Sequence, residues 1–244
     1  MIGPAFLGAL GLAGVLAGGL AAVAGFGIGS VLTPVLALEA GTRLAVAAVA
    51  IPHVIGTAQR FWLLRAHVDR RVLLGFGLAS AAGGLLGAVL QSLLAGRGLT
   101  IVFGLALIAT GIAELTGWMR RVRWGRQAAL IAGLVSGLLG GMVGNQGSVR
   151  SASLLGFDVP KESFVATATA IALCVDAARL PVYLATQGAE IAALWPQLLV
   201  ATGGVMIGTA FGTRVLGRIQ EQTFHRTVGV ALIVLGIWMA LMSE

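Results

Sequence analysis

The pattern along the chain is one of long apolar runs separated by short polar gaps. The runs fall at about residues 4–38, 44–64, 72–95, 99–119, 127–157, 164–187, 194–213 and 227–243. A helix needs about 20 residues to cross the hydrocarbon core of a bilayer, and six of the runs fit one crossing each. The first and fifth are over 30 residues long. Each is interrupted, one by GFGIGS from Gly25 to Ser30 and the other by GNQGS from Gly144 to Ser148. The expected fold class is an all-α polytopic membrane protein with two broken segments.

Composition narrows the class by exclusion. Of 244 residues, 58% are hydrophobic and 10% charged, and the mean hydropathy is +0.97. A soluble domain carries about 25% charged residues, so a soluble enzyme, a disordered tail and a disulfide-stapled secreted module are all excluded. The single cysteine, Cys174, permits no intramolecular disulfide. A net charge of +7 could point to nucleic acid, but the basic residues sit in the gaps between apolar runs, as membrane topology requires. The first basic residue is Arg43, so no cleavable signal peptide is expected.

The two breaks reveal an internal repeat. Sliding the chain by 119 residues sets Gly25 on Gly144, Leu36 on Leu155, Glu39 on Asp158, Ala47 on Ala166 and Arg60 on Arg179. The register then drifts to 121, where Gly83 and Gly87 meet Gly204 and Gly208, and to about 125, where Gly104 and Gly111 meet Gly229 and Gly236. Two membrane repeats, residues 1–122 and 123–244, are expected, with the duplicated plan of secondary transporters.

Charge decides how the long segments run. If each crossed once, the basic residues would divide seven against six between the two faces. If each instead enters and leaves by one face as a re-entrant hairpin, one face collects Arg65, Arg70, Arg71, Arg120, Arg121, Arg123, Arg126, Lys161, Arg214, Arg218 and Arg226, and the other only Arg43 and Arg97. Eleven against two is the asymmetry of the positive-inside rule. Each half is then a hairpin plus three spans, so the halves are inverted, and both termini lie on the non-cytoplasmic side.

A helix broken within the membrane exposes backbone groups, tolerated only where protein or a water-filled cavity satisfies them. The half-helix that follows presents free N–H groups and a positive dipole end, an anion seat. Gly27, Gly29, Ser30 and Thr33 line the first break. Asn145, Gln146, Gly147, Ser148, Arg150 and Ser151 line the more polar second one. Arg150 is the leading substrate contact, since a guanidinium at membrane depth is costly and matches an oxyanion with parallel donors. The competing readings are structural pairing with Asp158 and snorkelling. Asp176 and Arg179, spaced i, i+3 on one helix face, form either a gating or proton-sensitive pair or a structural salt bridge. Arg60 is expected to snorkel from its helix end, His53 to be a lone histidine, Pro52 to mark a kink, and Gln91 and Glu114 to be interfacial. The Gly14/Gly18, Gly83/Gly87, Gly133/Gly137 and Gly204/Gly208/Gly212 spacings are close-packing faces, suited to a bundle or a homodimer. No paired nucleophile and base and no metal-ligand set occurs, so neither enzyme activity nor a cofactor is expected. A passive anion channel lined by the same breaks is the alternative to a carrier, with an intramembrane enzyme a more distant one.

The stretch GFGIGSVLTP from Gly25 to Pro34, followed by LEAG from Leu38 to Gly41 and the Ala-rich span from Ala45, resembles the glycine-rich opening of the TauE/SafE sulfite-exporter family of permeases. The segment from Gly144 to Gly156, with Ala166 to Ala170, sits where that family repeats the motif. The resemblance covers nearly the whole chain. It departs where Asn145, Gln146 and Ser153 replace the usual glycine cluster and proline. Carried onto this chain, the motif selects Gly25, Gly27, Gly29 and Pro34, then Gly144, Gly147 and Arg150. What it implies is movement of sulfite, a sulfonate or a related small sulfur-containing or carboxylate anion across the bacterial inner membrane, with basic loops cytoplasmic. Cysteines placed at positions 122 and 160 are expected to react with a membrane-impermeant maleimide from one and the same face. Labelling from opposite faces would refute the second hairpin.

Overall fold

The computed structural model describes residues 3–94, 97–117, 126–144, 147, 150, 153–154, 161–216 and 221–241. These form helices, with no strand among the described residues. The long elements are α1 (Pro4–Ala24), α2 (Ile28–Leu64), α3 (Arg70–Leu93), α4 (Arg97–Thr116), α5 (Arg126–Val143), α6 (Lys161–Ala193), α7 (Trp195–Leu216) and α8 (Glu221–Leu241). The chain is thus an all-α polytopic membrane protein. Four of its helical stretches, Pro4–Ala22, Thr42–His67, Arg70–Leu93 and Ser163–Ala193, are long and apolar enough to cross a bilayer on their own. Leu12, Leu63, Ile131 and Leu199 stand more than 60% exposed on the outside of the bundle, as lipid-facing side chains do.

Local chemistry explains where helices start and stop. Pro4 occupies the first turn of α1, where its missing N–H is no loss. Asp69 caps α3, its carboxylate accepting from the Arg71 and Val72 amides at 2.8 and 3.1 Å. Gly41 takes a left-handed φ of 75° and divides α2 into a short arm, Ile28–Ala40, and a long arm from Thr42. The short arm returns along the long one: Ile28 packs near Gly56, and Thr33 and Val46 both lie beside Gly144.

Small residues let the backbones approach. Gly14 packs on Ala201 and Gly204 and Gly18 on Val205 and Thr209, so α1 and α7 run in the same direction. Gly133 meets Phe76, Gly137 meets Ser80 and Gly141 meets Gly84, so α5 and α3 also run together. In α4 and α8 the order is reversed, Gly104 lying on Gly236 and Gly111 on Gly229. The glycine spacings therefore do build a bundle, with α1 on α7 echoed by α5 on α3.

Polar contacts tie the two ends. The Asp69 amide donates to Thr167 Oγ1 at 2.9 Å, which puts the end of α2, the start of α3 and the start of α6 at one end, together with Arg65, Arg70 and Arg71. At the other, Gln91 Nε2 donates to the Arg43 carbonyl at 2.7 Å and Gln187 Nε2 donates to Gln91 Oε1 at 3.2 Å. Gln91 is therefore buried, not interfacial as its place near a helix end suggested. It is the joint between the turn at Gly41 and the kink that Gln187 (φ −139°, ψ 18°) puts into α6. Glu114's side chain lies outside what the structure describes.

A side chain on Gly137 would run into the Ser80 carbonyl, whereas one on Gly188 would meet nothing within 4 Å. Gly137→Leu is expected to lose about 1–3 kcal/mol through overpacking and lower the melting temperature in detergent. Gly188→Leu is expected to melt like wild type. Equal melting of the two would refute the close α3–α5 contact.

Candidate anion site at two facing helix breaks

Each interrupted segment ends its first helix in the same way. Gly25 (φ 77°) and Gly144 (φ 72°) adopt the left-handed conformation that favours glycine, and their amides donate to the carbonyls of Ala21 and Gly140, both at 3.0 Å. A second donor then reaches each carbonyl. Arg60 Nη1 donates to Ala21 O, and Arg179 Nη1 donates to Gly140 O. Both the arginines and the carbonyls lie 119 residues apart in the sequence, the register that the sequence alignment of the two halves gave. Arg60 is buried and does not snorkel. Its expected place near a helix end was right, but Ala21 O and Thr169 Oγ1, to which its Nε donates at 3.0 Å, keep it inside. The signal was its alignment with Arg179.

Around Arg179 the second break carries more. Asp176 Oδ1 accepts from Arg179 Nε at 3.0 Å and pairs with Nη2 at 2.8 Å, while Asp176 Oδ2 lies 2.7 Å from His53 Nδ1. The i, i+3 spacing thus does join Asp176 to Arg179. His53 is not the lone histidine its surroundings suggested, because the α2–α6 packing brings in a partner from 123 residues away. Tyr183, the sole tyrosine, sits one turn beyond Arg179 and donates to Gly141 O. Its position after a buried arginine was the available clue.

The two breaks meet. A Cβ on Gly29 would strike the Gly144 carbonyl, and one on Gly147 would strike the Phe26 side chain. The Thr33 hydroxyl and Arg179 Nη1 stand 3.7 and 3.9 Å from the place a Gly144 Cβ would take. Gly27 (φ 129°) precedes α2, whose first turn has no side-chain cap. Ser30 is buried.

Arg150 reaches this junction from the second break. It is 1% exposed, and Nη2 donates to the Gly25 carbonyl at 2.9 Å. Its Nε and Nη1 are buried without a hydrogen-bond partner, as is Thr33 Oγ1. Arg150 lies within electrostatic range of Arg60, Arg179 and Asp176. Among the described residues, three buried guanidinium groups thus share the interior with one buried carboxylate, a surplus of positive charge that an anion would balance. Of the residues expected here, Gly27, Gly29, Ser30, Thr33, Gly147, Arg150, Asp176 and Arg179 are described and gather around the breaks. Asn145, Gln146, Ser148, Ser151 and Asp158 lie outside the described residues. No group of three metal-ligating side chains occurs among the described residues.

The family described as Sulfite exporter TauE/SafE matches residues 10–239. The chain belongs to the TauE/SafE sulfite exporter family. Comparison with curated proteins and with solved structures gives no match. As a TauE/SafE member the chain is a multi-pass membrane permease, and the matched span covers both breaks and the buried Arg60, Arg150 and Arg179.

Removing Arg179 would leave Asp176 buried with His53 as its one hydrogen-bond partner among the described residues and take one of two donors from the Gly140 carbonyl. Arg179→Gln is expected to cost about 3–5 kcal/mol. The double variant Asp176→Asn, Arg179→Gln is expected to lose less than the sum of the singles, by at least about 1 kcal/mol, in detergent melting. Additive losses would show that the pair is uncoupled.

Proposed function

We propose that this TauE/SafE member is a secondary transporter moving sulfite, or a closely related small sulfur-containing or carboxylate anion, across the bacterial inner membrane by alternating access. The observation that carries the reading is the pair of unpartnered donors on Arg150, buried where the two breaks meet. Arg150 is anchored by the Gly25 carbonyl beside the uncapped start of α2. Its free edge and the first-turn amides of α2 together suit an oxyanion. The surplus of arginine over carboxylate supplies the charge attraction, and the carboxylate and histidine at Asp176 and His53 offer a route for a proton to accompany transport.

Residues 1–122 and 123–244 act in this reading as two inverted repeats. Support comes from the recurring arginine-to-carbonyl bond and from helix direction. α1 runs with α7 and α5 runs with α3. Because α7 follows directly on the Gln187 end of α6 and α3 begins at Asp69, the two broken segments start at opposite ends of the bundle. The end bearing Arg65, Arg70 and Arg71 is assigned to the cytoplasm by the positive-inside rule.

The test is flux of labelled sulfite, sulfoacetate and thiosulfate into proteoliposomes, with wild type beside Arg150→Ala. Wild type is expected to saturate and to show counterflow, and the variant to lose at least about tenfold, the cost of one charge-assisted contact. Unchanged flux in the variant would remove Arg150 from the site. Flux without counterflow would replace the carrier by a channel.

A further inference from the structure

The charge count expects eleven of thirteen basic residues on one face, and the two exceptions, Arg43 and Arg97, come together. Both line a cavity of about 590 Å³ at the opposite end of the bundle from Arg65, Arg70 and Arg71. The two residues come from different helices, Arg43 from the turn at Gly41 and Arg97 from the first turn of α4. The wall also includes Thr100, Gln187, Glu190 and Trp238.

Three features make this a site for a ligand and not just a dent between helices. Arg43 Nε and Gln187 Oε1, on two of the lining residues, are buried without partners, so polar atoms that the protein leaves unmatched lie beside the cavity. Among the described residues neither Arg43 nor Arg97 has an ion pair, so two cations face one carboxylate, Glu190, across the space. The floor includes Pro34, the next residue after Thr33, whose unpartnered hydroxyl lies beside Gly144 at the facing breaks. The cavity and the central site thus share the short arm of α2 as a common wall.

We infer that this cavity is a second anion site, an outer vestibule in which Arg43 and Arg97 gather a small oxyanion at the face opposite the basic loops. This rests on the reading of the chain as an anion transporter. It goes beyond that reading by giving the two faces different selectivity and affinity determinants. Arg150 is common to transport in both directions, whereas Arg43 and Arg97 act on anion presented from their own face. Gln187 both lines the cavity and kinks α6 two turns beyond Arg179, which ties the vestibule wall to the helix that carries Arg179.

The experiment uses oriented proteoliposomes and sulfite as the probe. Arg43→Gln and Arg97→Gln are each expected to raise the half-saturating sulfite concentration about three- to tenfold when sulfite is offered at the vestibule face. They are expected to leave the value at the other face unchanged. Arg70→Gln, which removes a charge from the opposite end, is expected to change neither. Glu190→Gln removes the one opposing charge and is expected to lower the vestibule-face value about threefold, a gain that misfolding cannot imitate. Sulfite binding is read independently of transport by quenching of Trp238 fluorescence, with Trp238→Phe as the blank. Quenching that persists in Arg150→Ala and is lost in Arg43→Gln supports the vestibule even if the central site is elsewhere. Equal shifts at both faces, an unchanged value in Glu190→Gln, or quenching indifferent to Arg43 would overturn it whether or not Arg150 proves essential.

Discussion

A helix that stops inside a membrane leaves carbonyls that water cannot reach, and this chain meets that constraint with buried arginines. At each break a carbonyl in the last turn of the helix accepts both from a glycine amide and from a buried arginine of a neighbouring helix, Ala21 from Arg60 and Gly140 from Arg179. The carbonyl, already paired with the glycine amide, uses its second lone pair to give the guanidinium a partner without cancelling its charge. Positive potential is thereby fixed at the facing breaks as a consequence of ending the helices there at all. Everything else in the centre of the bundle follows from these two bonds.

What distinguishes the halves is how that charge is answered. On the second side Asp176 neutralises Arg179 and is itself held by His53 from α2, near the middle of both long helical arms. On the first side Arg60 has only neutral acceptors, Ala21 O and Thr169 Oγ1. Arg150, whose position in the first half is taken by Val31, adds a third cation with no symmetry mate. In the proposed two-repeat reading, the repeat builds the frame and its departures from symmetry place the charge. In the proposed cycle an anion would answer Arg150 and Arg60 as Asp176 already answers Arg179, which would give occupied and empty states different internal electrostatics.

Much of this was legible in the sequence because the relevant signals are local or periodic. The two breaks, the 119-residue register, the close-packing glycines and the Asp176–Arg179 spacing all read directly from residue type and separation. What stayed hidden depends on distant segments meeting. Arg60 looked like a snorkelling end residue because its acceptors sit 39 and 109 residues away. His53 looked solitary because Asp176 is 123 residues away, and Gln91 looked interfacial because Arg43 and Gln187 cover it only after folding. The vestibule was foreshadowed only as the two exceptions in a charge count, since no local pattern joins Arg43 to Arg97.

The central claim is that an oxyanion sits on the free edge of Arg150 between the facing breaks. It is tested most directly by a crystal structure with selenite, a heavier analogue of sulfite, located by anomalous scattering. The account predicts a selenium peak within about 4 Å of Arg150 Nε or Nη1, a distance set by hydrogen bonding through oxygen. Density confined to the vestibule or the protein surface, with the Arg150 edge bare at saturating selenite, would contradict it.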